Sequence, residues 1–153
     1  MAFERIIKPA FTVIGQEGST ADGPDFIAKL WEKANARFGE VAALAKKNPD
    51  GTLAGVWGAM SDFSRSFAPW AEGFTQGLYL AGVECEDGAE APEGWTKWII
   101  PGFEYIRVSG EENNFPAGLG YLQSEGLTLC GAVHDFTDPV TGQSSMLFPV
   151  RRL

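Results

Sequence analysis

Basic residues are the first thing that this sequence has little of. Among 153 residues it contains 12 lysines and arginines against 20 aspartates and glutamates, which gives a formal net charge of −8. Adjacent basic residues occur only as Lys46-Lys47 and Arg151-Arg152. Because clustered lysine and arginine supply most of the affinity for a phosphate backbone, we expect no direct binding to nucleic acid.

Metal-binding residues are scarce as well. His134 is the only histidine, Cys85 and Cys130 are the only cysteines, and the chain has no Cys-x-x-Cys pair. Structural zinc sites need four such ligands close together. A phosphate-binding loop would need glycines that lead directly into a helix. The sequence shows neither pattern, so we expect no metal site and no cofactor.

Long apolar runs are also missing. No stretch approaches the roughly 18 consecutive apolar residues that a membrane span requires. The N-terminus, Met1 to Arg5, does not combine a basic segment with a following apolar run, as a secretory signal would. Two cysteines without a pairing framework are typical of free thiols in a reducing compartment. We therefore predict no membrane span and a cytoplasmic location.

What the chain does contain is an ordinary globular composition with many aromatic residues. Hydrophobic residues make up 44% and charged residues 21%, and the length suits one continuous core. We predict a single domain over residues 1–153. Five tryptophans exceed what a core of this size needs. Some of the aromatic residues are therefore expected to line a ligand site.

One helix is clearly indicated in the first half. Pro24 and Asp25 suit a first helical turn, where a missing N–H and a negative charge are both favourable. Apolar residues then recur at spacings of three and four from Ile27 to Val41. The pattern predicts an amphipathic helix that reaches about Lys46.

The other periodic segments are typical of strands, and their order repeats. The first half is predicted as strand, helix, strand, strand, with the strands at residues 4–15, 53–60 and 75–85. After an acidic connector, the second half repeats that order, with a strand at 95–108 interrupted at Pro101-Gly102, a short helix at 113–125, and strands at 127–136 and 145–150. The prediction is an α+β fold of two βαββ units, residues 1–88 and 89–153. They would form one antiparallel sheet with two helices and a cleft between the halves.

Four short motifs resemble a known family in their order and spacing. They are Ala59-Met60-Ser61-Asp62, Leu78-Tyr79-Leu80-Ala81-Gly82-Val83-Glu84, Ile100-Pro101-Gly102 followed by Tyr105, and Met146-Leu147-Phe148-Pro149-Val150. This arrangement resembles the GyrI-like small-molecule-binding family, also called AraC-type or bacterial effector-binding domains. The resemblance implies a duplicated, SHS2-like βαββ fold whose cleft senses drugs or metabolites, often beside a DNA-binding module in transcription regulators. The chain has no room for such a module before its first strand, so we expect a free-standing member.

One position departs from the family pattern. Members commonly carry a glutamate two residues before an aromatic residue in the strand that precedes the last hairpin. In this sequence His134 is predicted to occupy the glutamate position, with Phe136 as the aromatic residue. An imidazole there removes the expected carboxylate. This departure argues against a cationic drug as ligand and against the hydrolase chemistry that one branch of the family shows.

Eight residues are candidates for the walls of the cleft. Tyr79, Trp98 and Phe136 would stack on an aromatic or hydrophobic ligand, while Glu84 and His134 would supply polar selectivity. The complete set of predicted ligand-binding residues is Trp57, Tyr79, Glu84, Trp98, Tyr105, His134, Phe136 and Phe148.

Strand periodicity raises a question about this set. Tyr79 and Glu84 are separated by an odd number of residues, so they point to opposite faces unless Gly82 introduces a bulge. Each candidate also has a purely structural interpretation, because aromatic residues in strands are more often core residues than pocket residues.

Three functions remain open on the sequence. The leading hypothesis is a non-catalytic domain that senses or sequesters a small molecule. The second is a hydrolase that uses Glu84 with Tyr79 or Tyr105 in the same cleft, since no nucleophile-elbow pattern surrounds any serine. The third is an acidic protein-interaction module, in the manner of a gyrase inhibitor, for which the net charge is the only support. A homodimer is compatible with each of the three.

Overall fold

The computed structural model describes residues 2–110 and 114–153. Over these residues eight strands form one antiparallel sheet in the order β1-β6-β8-β7-β3-β4-β2-β5, accompanied by three helices. The predicted α+β class is confirmed. The elements are β1 Ala2–Lys8, β2 Phe11–Ser19, α1 Phe26–Ala36, β3 Val56–Ser61, α2 Ala71–Phe74, β4 Leu78–Cys85, β5 Thr96–Ile100, β6 Phe103–Ser109, α3 Asn114–Ser124, β7 His134–Thr137 and β8 Ser144–Arg152.

The predicted duplication is visible in the strand order. The first unit is β2-α1-β3-β4 and the second is β6-α3-β7-β8, and the two meet where β3 pairs with β7. At that seam Trp57 lies opposite Phe136, and Gly58 lies opposite Asp135. The centre of the sheet is therefore built from one strand of each unit.

Two interrupted strands join the units a second time. The first predicted strand breaks after Lys8, so β1 pairs with β6 of the second unit while β2 stays in the first. The strand of the second unit breaks at Pro101-Gly102 in the same way, and β5 crosses back to pair with β2. Proline cannot donate a ladder hydrogen bond, and this explains why each strand changes partners at its proline.

The two faces of the sheet are covered differently. On the helix face, α1 packs over Ile14, Val41 and Val83, and α3 packs over a separate cluster that contains Ile106, Val108 and Phe148. On the opposite face a third cluster contains Phe11, Trp57, Leu80, Trp98, Tyr105 and Leu147. β4 is buried along its whole length. The strand alternation therefore decides which of the two environments each side chain enters.

Helix α1 is shorter than the sequence predicts. It ends at Ala36 and is followed by two short 3₁₀ turns, Phe38–Glu40 and Ala42–Leu44. Gly39 is a weak helix former. Phe38 and Val41 still pack into the cluster under α1, because a spacing of three residues places side chains on one side of a 3₁₀ turn as well as of an α-helix. The apolar pattern therefore continued beyond the helix itself.

The strand predicted at 127–136 begins only at His134. The preceding residues satisfy their backbone N–H groups elsewhere: Leu127 donates to Leu122 O at 2.8 Å, Cys130 to Pro149 O at 2.9 Å and Ala132 to Phe67 O at 2.8 Å. Leu127, Leu129 and Val133 pack into the cluster under α3, and the segment does not extend the sheet. The four-residue helix α2 is a third helix, in addition to the two that the sequence predicted.

No helix in the described ranges is long and apolar enough to cross a membrane.

The contact between α3 and the sheet depends on the absence of a side chain at Gly118. A Cβ atom there would overlap the ring of Phe148, which is fully buried. We expect Gly118→Ala to lower the free energy of unfolding by about 1–3 kcal/mol, because overpacking forces the helix or the ring to shift. Urea denaturation measures this change.

Gly120 on the same helix is the matched control. A Cβ atom at Gly120 would meet no described atom within 4 Å beyond its chain neighbours and the backbone of its own helix. Alanine at that position should stabilise the protein by up to about 1 kcal/mol through helix propensity alone. Equal effects of the two substitutions would contradict the packing described for α3.

Candidate functional site

A cleft crosses the helix face between α1 and α3, over the seam of the two units. It consists of two adjoining cavities of about 350 and about 190 Å³, which share Met146 in their walls. The larger cavity has a polar floor and the smaller one is almost entirely apolar. We refer to the two cavities together as the cleft. Its volume is in the range of small-molecule pockets.

The floor of the larger cavity carries a hydrogen-bonded group from three elements. The indole N–H of Trp31 in α1 donates to the Tyr79 hydroxyl at 3.1 Å. The Tyr79 hydroxyl in turn donates to Asp135 Oδ2 in β7 over a long 3.4 Å. A side chain at Gly58 would occupy the position of this hydroxyl. The glycine in β3 therefore makes room for a polar contact between the two units.

Asp135 has an unusual environment for a carboxylate. Burial raises its pKa from 3.8 to about 6, against the opposite effect of the Tyr79 hydrogen bond. It forms no ion pair with any residue in the ranges 2–110 and 114–153. Burial, followed by the nearby Asp135 charge, raises the pKa of Tyr79 as well, so this phenol stays neutral and acts as a donor. The cleft thus holds a negative charge without a positive partner among these residues.

The smaller cavity is lined by aromatic and methionine side chains. Phe74 from the first unit and Phe115 from α3 meet across it edge to face, with ring centroids 5.1 Å apart. Trp70 and Met60 line the same cavity, and the Trp70 indole N–H is already bonded to Leu78 O at 2.9 Å. Such walls offer stacking and polarisable contacts but few hydrogen bonds. An aromatic ligand suits this part of the cleft.

A further cavity of about 170 Å³ lies on the opposite face. Glu84 lies in its wall and is only 4% exposed. It accepts hydrogen bonds from the Trp57 indole at 3.1 Å and from Lys8 Nζ at 3.2 Å. Phe136 lines both this cavity and the cleft. The predicted residues Trp57, Glu84 and Phe136 are therefore brought together here.

The eight predicted residues are divided between the two faces. Tyr79 lies in the cleft, and Phe148 lies on the same face but supports α3 from below. Trp98 is buried on the opposite face, where its indole donates to Glu17 at 2.9 Å. β4 contains no bulge in its pairing with β2 or β3, so the odd spacing does place Tyr79 and Glu84 on opposite faces.

The acid–base pairs suggested with Glu84 are not assembled. Tyr79 contacts Asp135, on the other side of the sheet from Glu84. The buried Tyr105 hydroxyl has no hydrogen-bond partner in the described part of the chain, so it is not bonded to Glu84 either. The carboxylate that does face a tyrosine is Asp135, which the sequence did not identify.

His134 lies on the face opposite the cleft. It is fully buried, and its Nδ1 accepts a hydrogen bond from the Met60 backbone N–H at 3.0 Å. Burial lowers its pKa from 6.5 to about 3, so the ring is neutral. The next residue, Asp135, lines the cleft and places a carboxylate there. A shift of one residue along a strand changes the face, and this explains the difference.

Trp31 is a second residue of the cleft that the sequence did not predict as a site residue. It lies on the apolar stripe of α1, where its spacing indicates only a core residue. Nothing in the local pattern shows that its indole N–H reaches Tyr79, 48 residues away.

In the described residues there is no group of three or more His, Cys, Asp or Glu side chains that could hold a metal ion.

Comparisons with known proteins identify solved structures with a similar fold. No family model matches the chain, and no curated protein sequence is detectably similar. Among solved structures, SAV2435 bound to tetraphenylphosphonium has a TM-score of 0.62 at 15% identity, over 99% of this chain and 94% of that one. The EcmrR C-terminal domain has a TM-score of 0.61 at 14% identity, over the whole of both chains. A hydrolase from Listeria innocua has a TM-score of 0.56 at 14% identity, over 97% and 90% of the two chains. The fold is thus consistent with the GyrI-like effector-binding fold that the motifs indicated.

Proposed function

We propose that the protein binds a small lipophilic cation in the cleft, with Asp135 as its counter-charge and the aromatic walls as its packing surface. The observation that carries this proposal is a carboxylate at the floor of an aromatic cavity that has no positive partner within residues 2–110 and 114–153. The sequence suggested an aromatic or hydrophobic molecule and argued against a cationic drug, because His134 was predicted to replace the carboxylate of the family pattern. The proposal differs because Asp135 supplies a carboxylate in the cleft. The role would be to sense or sequester the cation.

The electrostatics favour a cation over a neutral ligand. A carboxylate that is partly removed from water is costly unless a positive group or several donors compensate it. Among the residues that the structure describes, Asp135 accepts a single long side-chain hydrogen bond, from Tyr79. A cation in the cleft would replace the missing partner, and the faces of Trp31 and Phe115 would add cation–π attraction. The presence of tetraphenylphosphonium in SAV2435, which has a similar fold, supports this choice of ligand class.

A hydrolase is the second candidate. Its support is the pair of Tyr79 and Asp135, since a carboxyl with a pKa near 6 beside a phenol is suited to general acid–base catalysis near neutral pH. This pair would take the place of Glu84 and Tyr105 in the mechanism suggested above. Ser144 and Ser145 also line the cleft, but in the described residues neither is hydrogen-bonded to a base, so water would be the attacking group. Turnover of a bound ligand would distinguish this function from binding alone.

The test is a calorimetric titration with tetraphenylphosphonium and with its neutral analogue triphenylphosphine oxide at pH 8. We expect the cation to bind the wild type more tightly than the neutral analogue. Asp135→Asn should weaken cation binding by about thirtyfold or more, because it removes one partner of a desolvated charge pair. Binding of triphenylphosphine oxide should change less than threefold.

Asp87→Asn is the control, because Asp87 is exposed and lies outside the cleft. It should leave both affinities unchanged. Below about pH 6 the cation affinity of the wild type should fall roughly tenfold for each further pH unit, since protonation of Asp135 competes with the ligand. Equal cation affinities of the wild type and Asp135→Asn would contradict the proposal.

A further inference from the structure

The cavity on the opposite face differs from the cleft in the sign of its free charge. Its wall contains Lys8, Glu84 and Arg107, beside the rings of Trp57 and Phe136. Both oxygens of Glu84 are already bonded, one to the Trp57 indole and one to Lys8. Lys8 and Glu84 therefore cancel each other as charges, and Arg107 is the remaining charged group in this wall.

Arg107 has hydrogen-bonding capacity that the described residues do not use. Its Nε atom is buried and has no partner in the ranges 2–110 and 114–153. Its one ion pair there is with Glu4, at 3.6 Å between side chains that are 38% and 60% exposed. Such an exposed and long pair contributes little. A guanidinium can offer two parallel N–H donors, and this arrangement matches the two oxygens of a carboxylate.

We propose that this cavity is a second binding site, specific for a small aromatic carboxylate. The carboxylate would accept two hydrogen bonds from Arg107, and its ring would lie against Trp57 and Phe136, whose centroids are 4.9 Å apart. Lys8 Nζ lies at the same wall, 5.6 Å from the Trp57 ring centroid, but it is already bonded to Glu84, so Arg107 is the group that would hold the carboxylate. The volume of about 170 Å³ is sufficient, since a cavity of roughly 150 Å³ holds a benzene molecule.

The site is independent of the cation proposed for the cleft. The two sites lie on opposite faces of β3 and β7, and their charges select ligands of opposite sign. Failure of one proposal therefore leaves the other standing. Phe136 is the residue that both cavities share.

The probes are benzoate and benzamide, which have the same shape but differ in charge. We expect saturable benzoate binding by calorimetry, with chemical-shift changes at the Trp57 indole and no comparable change at Trp31. Arg107→Gln should weaken benzoate binding at least tenfold, because hydrogen bonds to a charged group are lost. Benzamide should bind more weakly than benzoate, and its affinity should not respond to this substitution.

Arg5→Gln is the matched control, since Arg5 lies on β1 with a side chain 52% exposed and is not in this wall. It should leave benzoate affinity unchanged. If Arg107→Gln does not fold, Arg107→Lys provides the same test, with a smaller loss because the charge remains but the paired donors are gone. The absence of saturable binding to the wild type, equal affinities for benzoate and benzamide, or equal losses in the Arg5 and Arg107 variants would each overturn the proposal.

Discussion

Asp135→Asn is expected to stabilise the protein at pH 7.5, even though it removes the proposed counter-charge of the ligand. Burial raises the Asp135 pKa from 3.8 to about 6, so the folded state holds the carboxyl proton more tightly than the unfolded state. Each tenfold change in that equilibrium corresponds to about 1.4 kcal/mol. The substitution should therefore add at most about 3 kcal/mol to the free energy of unfolding at pH 7.5.

The sign of the pH dependence follows from the same values. Below pH 3.8 the carboxyl is protonated in the folded and in the unfolded state, so it does not change the free energy of unfolding. Between pH 3.8 and about 6 the unfolded state loses its proton first, so stability falls as the pH rises through this window and stays low above it. The advantage of the Asp135→Asn variant should shrink to about half at pH 5. The amide oxygen of the introduced side chain can still accept the Tyr79 hydrogen bond, which keeps the comparison close to a change of charge alone.

Urea denaturation at pH 5 and pH 7.5 measures this effect in the absence of ligand. Asp87→Asn again serves as the control, because its side chain is exposed, and it should shift stability by less than about 0.5 kcal/mol at both values. A loss of stability in Asp135→Asn at pH 7.5 would mean that an unrecognised positive partner compensates the carboxylate. A gain would indicate that the protein keeps this charge at a cost to its stability, as a binding residue would require.

His134→Asn should remove one acid-sensitive contribution to stability, which acts in the opposite direction to that of Asp135. The His134 pKa falls from 6.5 to about 3 because the ring is fully buried. Below pH 6.5 the unfolded state binds a proton that the folded state does not, so stability is lost as the pH falls from 6.5 towards 3. When the pH falls from 7.5 to 4.5, this group should lower the free energy of unfolding of the wild type by about 3 kcal/mol. The variant should not show this loss.

This substitution is chosen because an amide oxygen can take the place of His134 Nδ1, which accepts the Met60 N–H. The smaller side chain lowers stability, but by an amount that does not depend on pH. Tyr105→Phe is the control: its ring packs 6.3 Å from the His134 ring and its hydroxyl lacks a partner in the described residues. It should keep the pH dependence of the wild type. If the His134 variant also keeps it, the histidine is not the acid-sensitive group.

His134 and Asp135 show what the local sequence can predict and what it cannot. They are neighbours on β7, yet one is neutral and fully buried under Trp57 and Tyr105 while the other lies in the cleft. The alternation of the strand predicts that they face opposite ways. It does not predict which of them faces the cleft, because a shift of one residue reverses both.

Several features did follow from the sequence by itself. Alternating apolar residues predicted the α+β class and the two repeated units, and Pro101-Gly102 predicted the interruption in the strand of the second unit. The apolar stripe predicted α1, and the odd spacing of Tyr79 and Glu84 correctly separated them. Each of these features depends on periodicity or on the conformational limits of single residues, and such limits act over short distances along the chain.

The tertiary structure decided the composition of the cleft. Trp31, Tyr79 and Asp135 come from three elements, and the two hydrogen bonds between them join residues 48 and 56 positions apart. Whether an apolar or acidic residue becomes part of a site depends on which strands pair and in which register. That pairing is set by the packing of the whole core, so periodicity alone could not distinguish the tryptophan of the cleft from a core residue, or the aspartate from its histidine neighbour.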